Sequence, residues 1–293
     1  MRPMTFSEAG RSTKTISLGS VLAGEPVRAG DPGLTFDRLL ELLCIGGWPG
    51  NLGATAEAAQ RLLRGYLNDV ARVDLRRADG RRRDPQLVSR LLRSLARNVS
   101  TATSIASLRR DVNGADGNHH DETISDYLSA LDRLMITDNL EAWAPSLRSR
   151  TRLRSAPVRY LADPSLAVAA LRANPEKLRR DIEWTGLLFE NLVVRDVRVL
   201  AEAVGATTFA YRDETGLEAD VVLELAGGGW AAFEVKLGVS QVEAAAKNLL
   251  ALRSRVDVQV AGEPTALAVI TGAGYGYTRP DGVSVIPIGA LAA

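Results

Sequence analysis

The chain has 293 residues, 46% hydrophobic and 24% charged, with a formal net charge of +1, one cysteine and two histidines. That length accommodates two domains of ordinary size. It contains no apolar run of the ~18–20 residues a membrane span needs, and no signal peptide, so the expected location is cytoplasmic with no membrane partner. Cys44 stands alone, which excludes an intramolecular disulfide and a cysteine-based zinc site. His119 and His120 sit together in the polar stretch NGADGNHHD and do not suit a histidine-driven triad.

The small net charge hides two opposed halves. From Arg61 to Arg110 there are thirteen arginines against four aspartates, with no Lys or Glu, a local charge of +9. From Asp181 to Ser240 eleven acids face four bases, a local charge of −7. A basic front and an acidic back suit two modules with different tasks. The basic segment reads either as a solvated helix face or as a nucleic-acid footprint.

Residues 1–33 have little periodicity and are rich in Gly, Ser and Thr, the pattern of an extended or loosely ordered lead-in. LTFDRLLELLCI follows at helical spacing and stops at GGWPG, a turn that Gly and Pro force. AEAAQRLLRGYLNDVARVDLRR reads as a long amphipathic helix. In DPQLVSRLLRSLARN, Asp84 caps a helix, Pro85 occupies its first turn, and Leu87, Leu91, Leu92 and Leu95 share one face. STATSIASLRRDV and DETISDYLSALDRLMI give two more helices, the last with Ile124, Tyr127, Leu128, Leu131 and Leu134 inward. Two strand-like stretches then flank a basic tip of Arg148, Arg150, Arg152 and Arg154. Three helices and a basic hairpin are the pattern of a winged helix over about residues 84–165, within a mainly helical region spanning 34–175. On that reading the third helix enters a major groove and the four arginines meet DNA phosphates. Winged helices also serve as protein–protein spacers, and both readings stand.

From residue 176 to 293 the pattern changes. WTGLLFENLVVRDVRVLAEAVG is a long apolar-faced helix. TTFAYRD, LEADVVLEL and GWAAFEVKLG are strands, with AGGG as a hairpin between the last two. QVEAAAKNLLALRSRV is helical and TALAVITG is a buried strand. The order predicts an α/β domain with one mixed sheet and helices on both faces.

Those strands carry charges where a core wants none. Glu234 and Lys236 are two apart and share a face, and the hairpin brings the Asp220 strand alongside. Adjacent carboxylates repel unless a cation lies between them. Asp220, Glu234 and the Val235 carbonyl suit Mg2+ or Mn2+, with Glu190 supporting the ion from the preceding helix. Lys236 then orients a water or stabilises charge on a phosphate. Only four of 36 basic residues are lysines, and a compact ammonium suits this role where an arginine does not. The plainer reading is a cross-sheet ion pair on a half-solvated face, and Arg212 with Glu218 pairs either with this site or with each other.

The arrangement of Asp220 with Glu234-x-Lys236 after a helix-borne Glu190 resembles the PD-(D/E)xK nuclease core. The blocks RPMTFSEAG, LLCIGGWPG, GYLNDVARVDL, TISDYLSALDRLMI, VRYLADPSL, GLLFENLVVRDV, YRDETGLEADVVLEL and FEVKLG extend the likeness. In that order they resemble a family of bacterial and archaeal ATP-binding proteins. An N-terminal AAA-type P-loop ATPase there precedes a C-terminal domain of unknown function 4143. The resemblance runs from Arg2 to about Gly272, and G-x-L-F-E-N with E-x-D before E-V-K carries most of it. It implies a PD-(D/E)xK restriction-endonuclease-like domain behind a winged-helix-like one. Its catalytic set falls on Asp220, Glu234 and Lys236, and its metal set on Glu190, Asp220 and Glu234. No G-x-x-x-x-G-K-[ST] occurs, and GRSTKT lacks the spacing that cradles phosphates, so no ATP binding is expected. The expectation is a chain without its ATPase, which is then on another chain as a separate AAA-type partner, lost, or left out by the assigned start, with residues 1–33 the loosely packed remnant of that junction. Two functions follow: a DNA-associated, Mg2+- or Mn2+-dependent nuclease-like module, or a non-catalytic remnant that binds nucleic acid or protein.

Overall fold

The computed structural model of the protein describes residues 2–75, 80–81, 83–113, 117–145 and 156–293. They divide into two compact units. The helical unit comprises the described residues of Met1–Pro3, Leu40–Asn139 and Ala156–Asn191. The sheet unit comprises those of Met4–Leu39, Leu140–Ser155 and Leu192–Ala293.

The chain begins mostly in the sheet unit, and there the expected loose lead-in is corrected. Ile16–Ser17 (β1), Leu18–Leu22 (α1) and Arg28–Ala29 (β2) are ordered elements, and Phe6, Ile16, Leu18, Val21, Leu22 and Val27 are buried. The Phe6 N–H donates to Asp196 at 2.7 Å, and Asp196 is itself held by Arg195 at 2.6 Å, both side chains being 2% exposed. A fully buried phenylalanine beside a buried ion pair fixes this segment far more firmly than its composition suggests.

The helical unit is built from Phe36–Ile45 (α2, from Leu40 onward), Ala56–Asp69 (α3), Pro85–Arg97 (α4), Ile105–Asn113 (α5), Asp121–Arg133 (α6), Pro164–Ala170 (α7) and Pro175–Arg180 (α8). Three of these starts repeat one device. Asp84, Asp163 and Asn174 accept from the N–H of Gln86, Ser165 and Lys177, and each is followed by proline. The side chain satisfies an orphan donor while the proline, which has no N–H, occupies a position where none is needed. The long helix read from Ala56 is interrupted: α3 ends at Asp69 and passes into a π-turn, Val70–Asp74. In GGWPG, Gly46 has φ +74°, and a Cβ there would lie 2.5 Å from Asp163 Oδ1 and 2.8 Å from Trp48 Cδ1. Gly47 N–H donates to Asp163 and Trp48 Nε1 to Ser165, so this turn is packed within its own unit. Only one antiparallel bridge, Thr137↔Leu161, joins the two stretches expected to make the wing, among the described residues. Glu141 and Trp143 instead bond to Ala210 across the sheet unit. The four arginines assigned to the tip lie outside the described residues.

The helix Ile182–Ala203 (α9) contains the division between the units. The sheet unit continues with Ala206–Arg212 (β3), Glu218–Leu225 (β4), Trp230–Lys236 (β5), Val242–Arg255 (α10), Val258–Ala261 (α11), Ala266–Thr271 (β6), Gly276–Thr278 (β7), Ser284–Pro287 (β8) and Leu291–Ala292 (β9). One mixed sheet of seven strands has the order β2-β7-β8-β6-β5-β4-β3, and β1 pairs in parallel with β9. β3–β4–β5 form an antiparallel meander, while β5, β6 and β8 run parallel. A parallel neighbour needs a crossover, and α10 provides it between β5 and β6. Trp230, Ala232, Val222 and Val269 pack against Ala245, Leu249 and Leu252 of α10. Val221, Leu223, Ala231, Phe233 and Ile270 alternate with them and are equally buried, so both faces of the central strands are covered.

Candidate functional site

Strand geometry brings the charged residues together. Trp230 and Ala232 of β5 point toward α10, so the period of two puts Glu234 and Lys236 on that same face at the strand's C-terminal end. Val222 pairs with Ala232 and Val221 with Phe233, which carries Asp220 of β4 to the level of Glu234 and Val235. The Asp220 carboxylate accepts the Val235 N–H at 2.7 Å. Lys236 Nζ lies 2.6 Å from Glu234 Oε2 and 3.8 Å from Asp220 Oδ2. One ammonium thus stands between two carboxylates, and the Glu234 side chain is only 3% exposed. The carboxyl ends of parallel strands, next to a crossover, are where open α/β sheets form ligand crevices.

The electrostatics follow from that burial. Loss of water and the neighbouring Asp220 charge push Glu234 up to about 7, against the pull of Lys236 and of Asn248. Burial likewise raises Asp220, opposed by Lys236 and the Val235 N–H. Two acids held above their ordinary range, with one lysine for both, leave the cluster short of positive charge. Asn248, on α10, hydrogen-bonds Glu234 and is a site residue that the strand pattern alone did not reveal. Its only sequence signal is its place three residues after Ala245, beside the inward stripe of that helix.

The other predicted residues sort as follows. Glu190 belongs to the helical unit, where its carboxylate accepts the Tyr160 hydroxyl at 2.6 Å. Arg212 and Glu218 pair with each other at 3.1 Å on an exposed stretch of β3 and β4. Glu224, a further acid in β4, accepts from Trp143 Nε1 at 3.0 Å. Cys44 is buried, its thiol pushed up to about 12 by burial and by Glu41, and offers no nucleophile.

Asp220 and Glu234 present hard oxygen donors on one face, beside a cation already seated between them. Among the described residues no group of three or more His, Cys, Asp and Glu converges to hold a metal. A pair of carboxylates completed by water and substrate oxygens nevertheless fits Mg2+ or Mn2+, which commonly bind through one or two carboxylates. Residues 36–177 match a domain of unknown function (DUF8612), and residues 185–291 match another (DUF4143). Asp220, Glu234, Lys236 and Asn248 all fall in the second. No curated protein and no solved structure matches the chain. Among the described residues no helix is long and apolar enough to cross a membrane.

Proposed function

We propose that the sheet unit is a divalent-cation-dependent phosphodiesterase module of the nuclease-like type, acting on DNA. The observation that carries this reading is the buried Asp220–Glu234–Lys236 cluster, with Glu234 held near 7 at the carboxyl end of β5. Asp220 and Glu234 would hold Mg2+ or Mn2+. When bound, such an ion polarises a phosphoryl oxygen and lowers the pKa of a nearby water. Asp220 is oriented for that task by the Val235 N–H, and Glu234 by Asn248. With such an ion held by the two carboxylates, Lys236 would be free of Glu234 to donate to a phosphate oxygen.

The test is cleavage of supercoiled plasmid and of end-labelled duplex, with Mg2+, with Mn2+ and with EDTA. Cleavage is expected only with metal, and it should fall by roughly 10²-fold or more in Asp220→Asn and in Lys236→Met. Metal-independent cutting, or variants that cut like the parent, would overturn the proposal. A second reading is favoured by the 2.6 Å contact of Lys236 with Glu234. The cluster is then a structural ion pair in a non-catalytic module that binds nucleic acid or protein, and neither metal binding nor cleavage occurs.

A further inference from the structure

The geometry points to a second nucleic-acid site: the groove between α3 and α4 is a cradle for the phosphate backbone of a duplex. This open cavity of about 440 Å³ is lined by Arg72, Arg90 and Arg93 with Asn68, Gln86 and Ser89 among its other walls. A neighbouring depression shares Asn68, Ser89 and Arg93 and adds Arg64 and Arg172. Together they present five guanidinium groups, and neither is lined by a single carboxylate or aromatic ring.

Three arginines of the same basic segment are held by acids away from the groove: Arg81 and Arg83 share Asp126, at 2.8 and 2.9 Å, and Arg109 pairs with Asp121 at 3.1 Å. Among the described residues, Arg64, Arg72, Arg90, Arg93 and Arg172 have no such carboxylate partner. Arg90 donates to the Val112 carbonyl at 3.3 Å. Gln86, Arg90 and Arg93 follow one another at helical spacing along α4, so like charges are held side by side and an anion would relieve their repulsion.

The backbone is irregular at the same place. Ala71 and Arg72 reach the groove from the π-turn Val70–Asp74, a rare geometry that recurs at functional sites. Arg172 adopts φ +51°, a left-handed conformation after α7 where Gly or Asn is usual. That ending of α7 sets the Arg172 guanidinium beside Arg64 and Arg93.

The chemistry selects the ligand. Two joined depressions are too extensive for one phosphate group and suit a chain of them. Without aromatic side chains there is no platform for unstacked bases, which argues against single strands. Guanidinium forks with amide and hydroxyl donors meet phosphate oxygens without reading sequence. The site shares a polymer with the function proposed above but none of its residues, and it stands without cleavage.

The test is anisotropy of a labelled random-sequence duplex of about 20 base pairs, in EDTA, across roughly 50–200 mM salt. Arg72→Gln/Arg93→Gln should lower affinity by tenfold or more at the lowest salt. It should also reduce the slope of log K against log salt by about 2, since about 0.9 counterion is released per phosphate contact. Arg172→Asn separates binding from folding: Asn tolerates the left-handed backbone, so this variant should melt no lower than the parent yet bind less tightly. Wild-type affinity and slope in both variants would overturn the inference, as would tighter binding of a single strand or of tripolyphosphate than of the duplex. A parent protein that binds duplex in EDTA but does not cleave counts only against the function proposed for the sheet unit. A parent that cleaves with metal but does not bind duplex in EDTA counts only against this groove.

Discussion

Glu234→Gln removes one buried charge while keeping the side chain's shape and its bond to Asn248. In the folded protein burial and Asp220 hold Glu234 at about 7, against 4.5 for the free group. Its pKa is raised on folding, so below pH 4.5 both states are protonated and ionisation costs the fold nothing. As pH rises from 4.5 toward 7 the unfolded chain ionises first, and the folded state loses stability up to a plateau above 7. The full shift corresponds to on the order of 3 kcal/mol, with little screening because the side chain is 3% exposed. Between pH 5.5 and 8.5 the linkage relation leaves about 2 kcal/mol of that change. Urea denaturation at the two pH values, read by tryptophan fluorescence, should therefore show Glu234→Gln gaining about 2 kcal/mol on the parent from pH 5.5 to 8.5. A difference that stays flat with pH, or that falls, refutes the reasoning: Glu234 would then ionise as an ordinary exposed acid.

Asp220→Ala leaves the Val235 N–H without its acceptor and should cost about 1–3 kcal/mol by thermal denaturation, whereas Asp220→Asn, which still accepts, should cost much less. Gly46→Ala forces a Cβ into Asp163, Ser165 and Trp48 at positive φ, and a loss of about 2–4 kcal/mol is expected in the same assay. Phe6→Ala should cost about 3–5 kcal/mol, as for a fully buried aromatic, and a loss below about 1 kcal/mol would restore the picture of a loose lead-in.

What the sequence revealed depended on how local the deciding interaction was. α4 was legible to its cap because Asp84, Pro85 and the leucine stripe lie within a few residues of one another. β4, β5 and α10 were legible because alternation, the AGGG turn and the helical period are equally short-ranged. β1 and β2 left no such signal: each is two residues long, and their partners Leu291–Ala292 and Gly276–Tyr277 lie at the far end of the chain. In the stretch read as a wing, Trp143 finds its partners in Ala210, Glu224 and Trp230, which no local pattern announces. At the site, Asp220, Glu234 and Lys236 stood out as charges in apolar strands. Asn248 did not, because a polar residue on a helix is ordinary until the helix is docked. Glu190 was placed by the order of elements alone, and the contact that fixes its carboxylate, Tyr160, lies thirty residues earlier.

Metal binding at Asp220 and Glu234 is read out by Mn2+ uptake, followed by electron paramagnetic resonance at pH 8 and again below pH 6. A single ion per chain is expected at pH 8, with weaker binding as protons reclaim Glu234 below about 7 and loss of the ion in Asp220→Asn. Uptake that is absent in the parent, or unchanged in Asp220→Asn, contradicts binding at this pair.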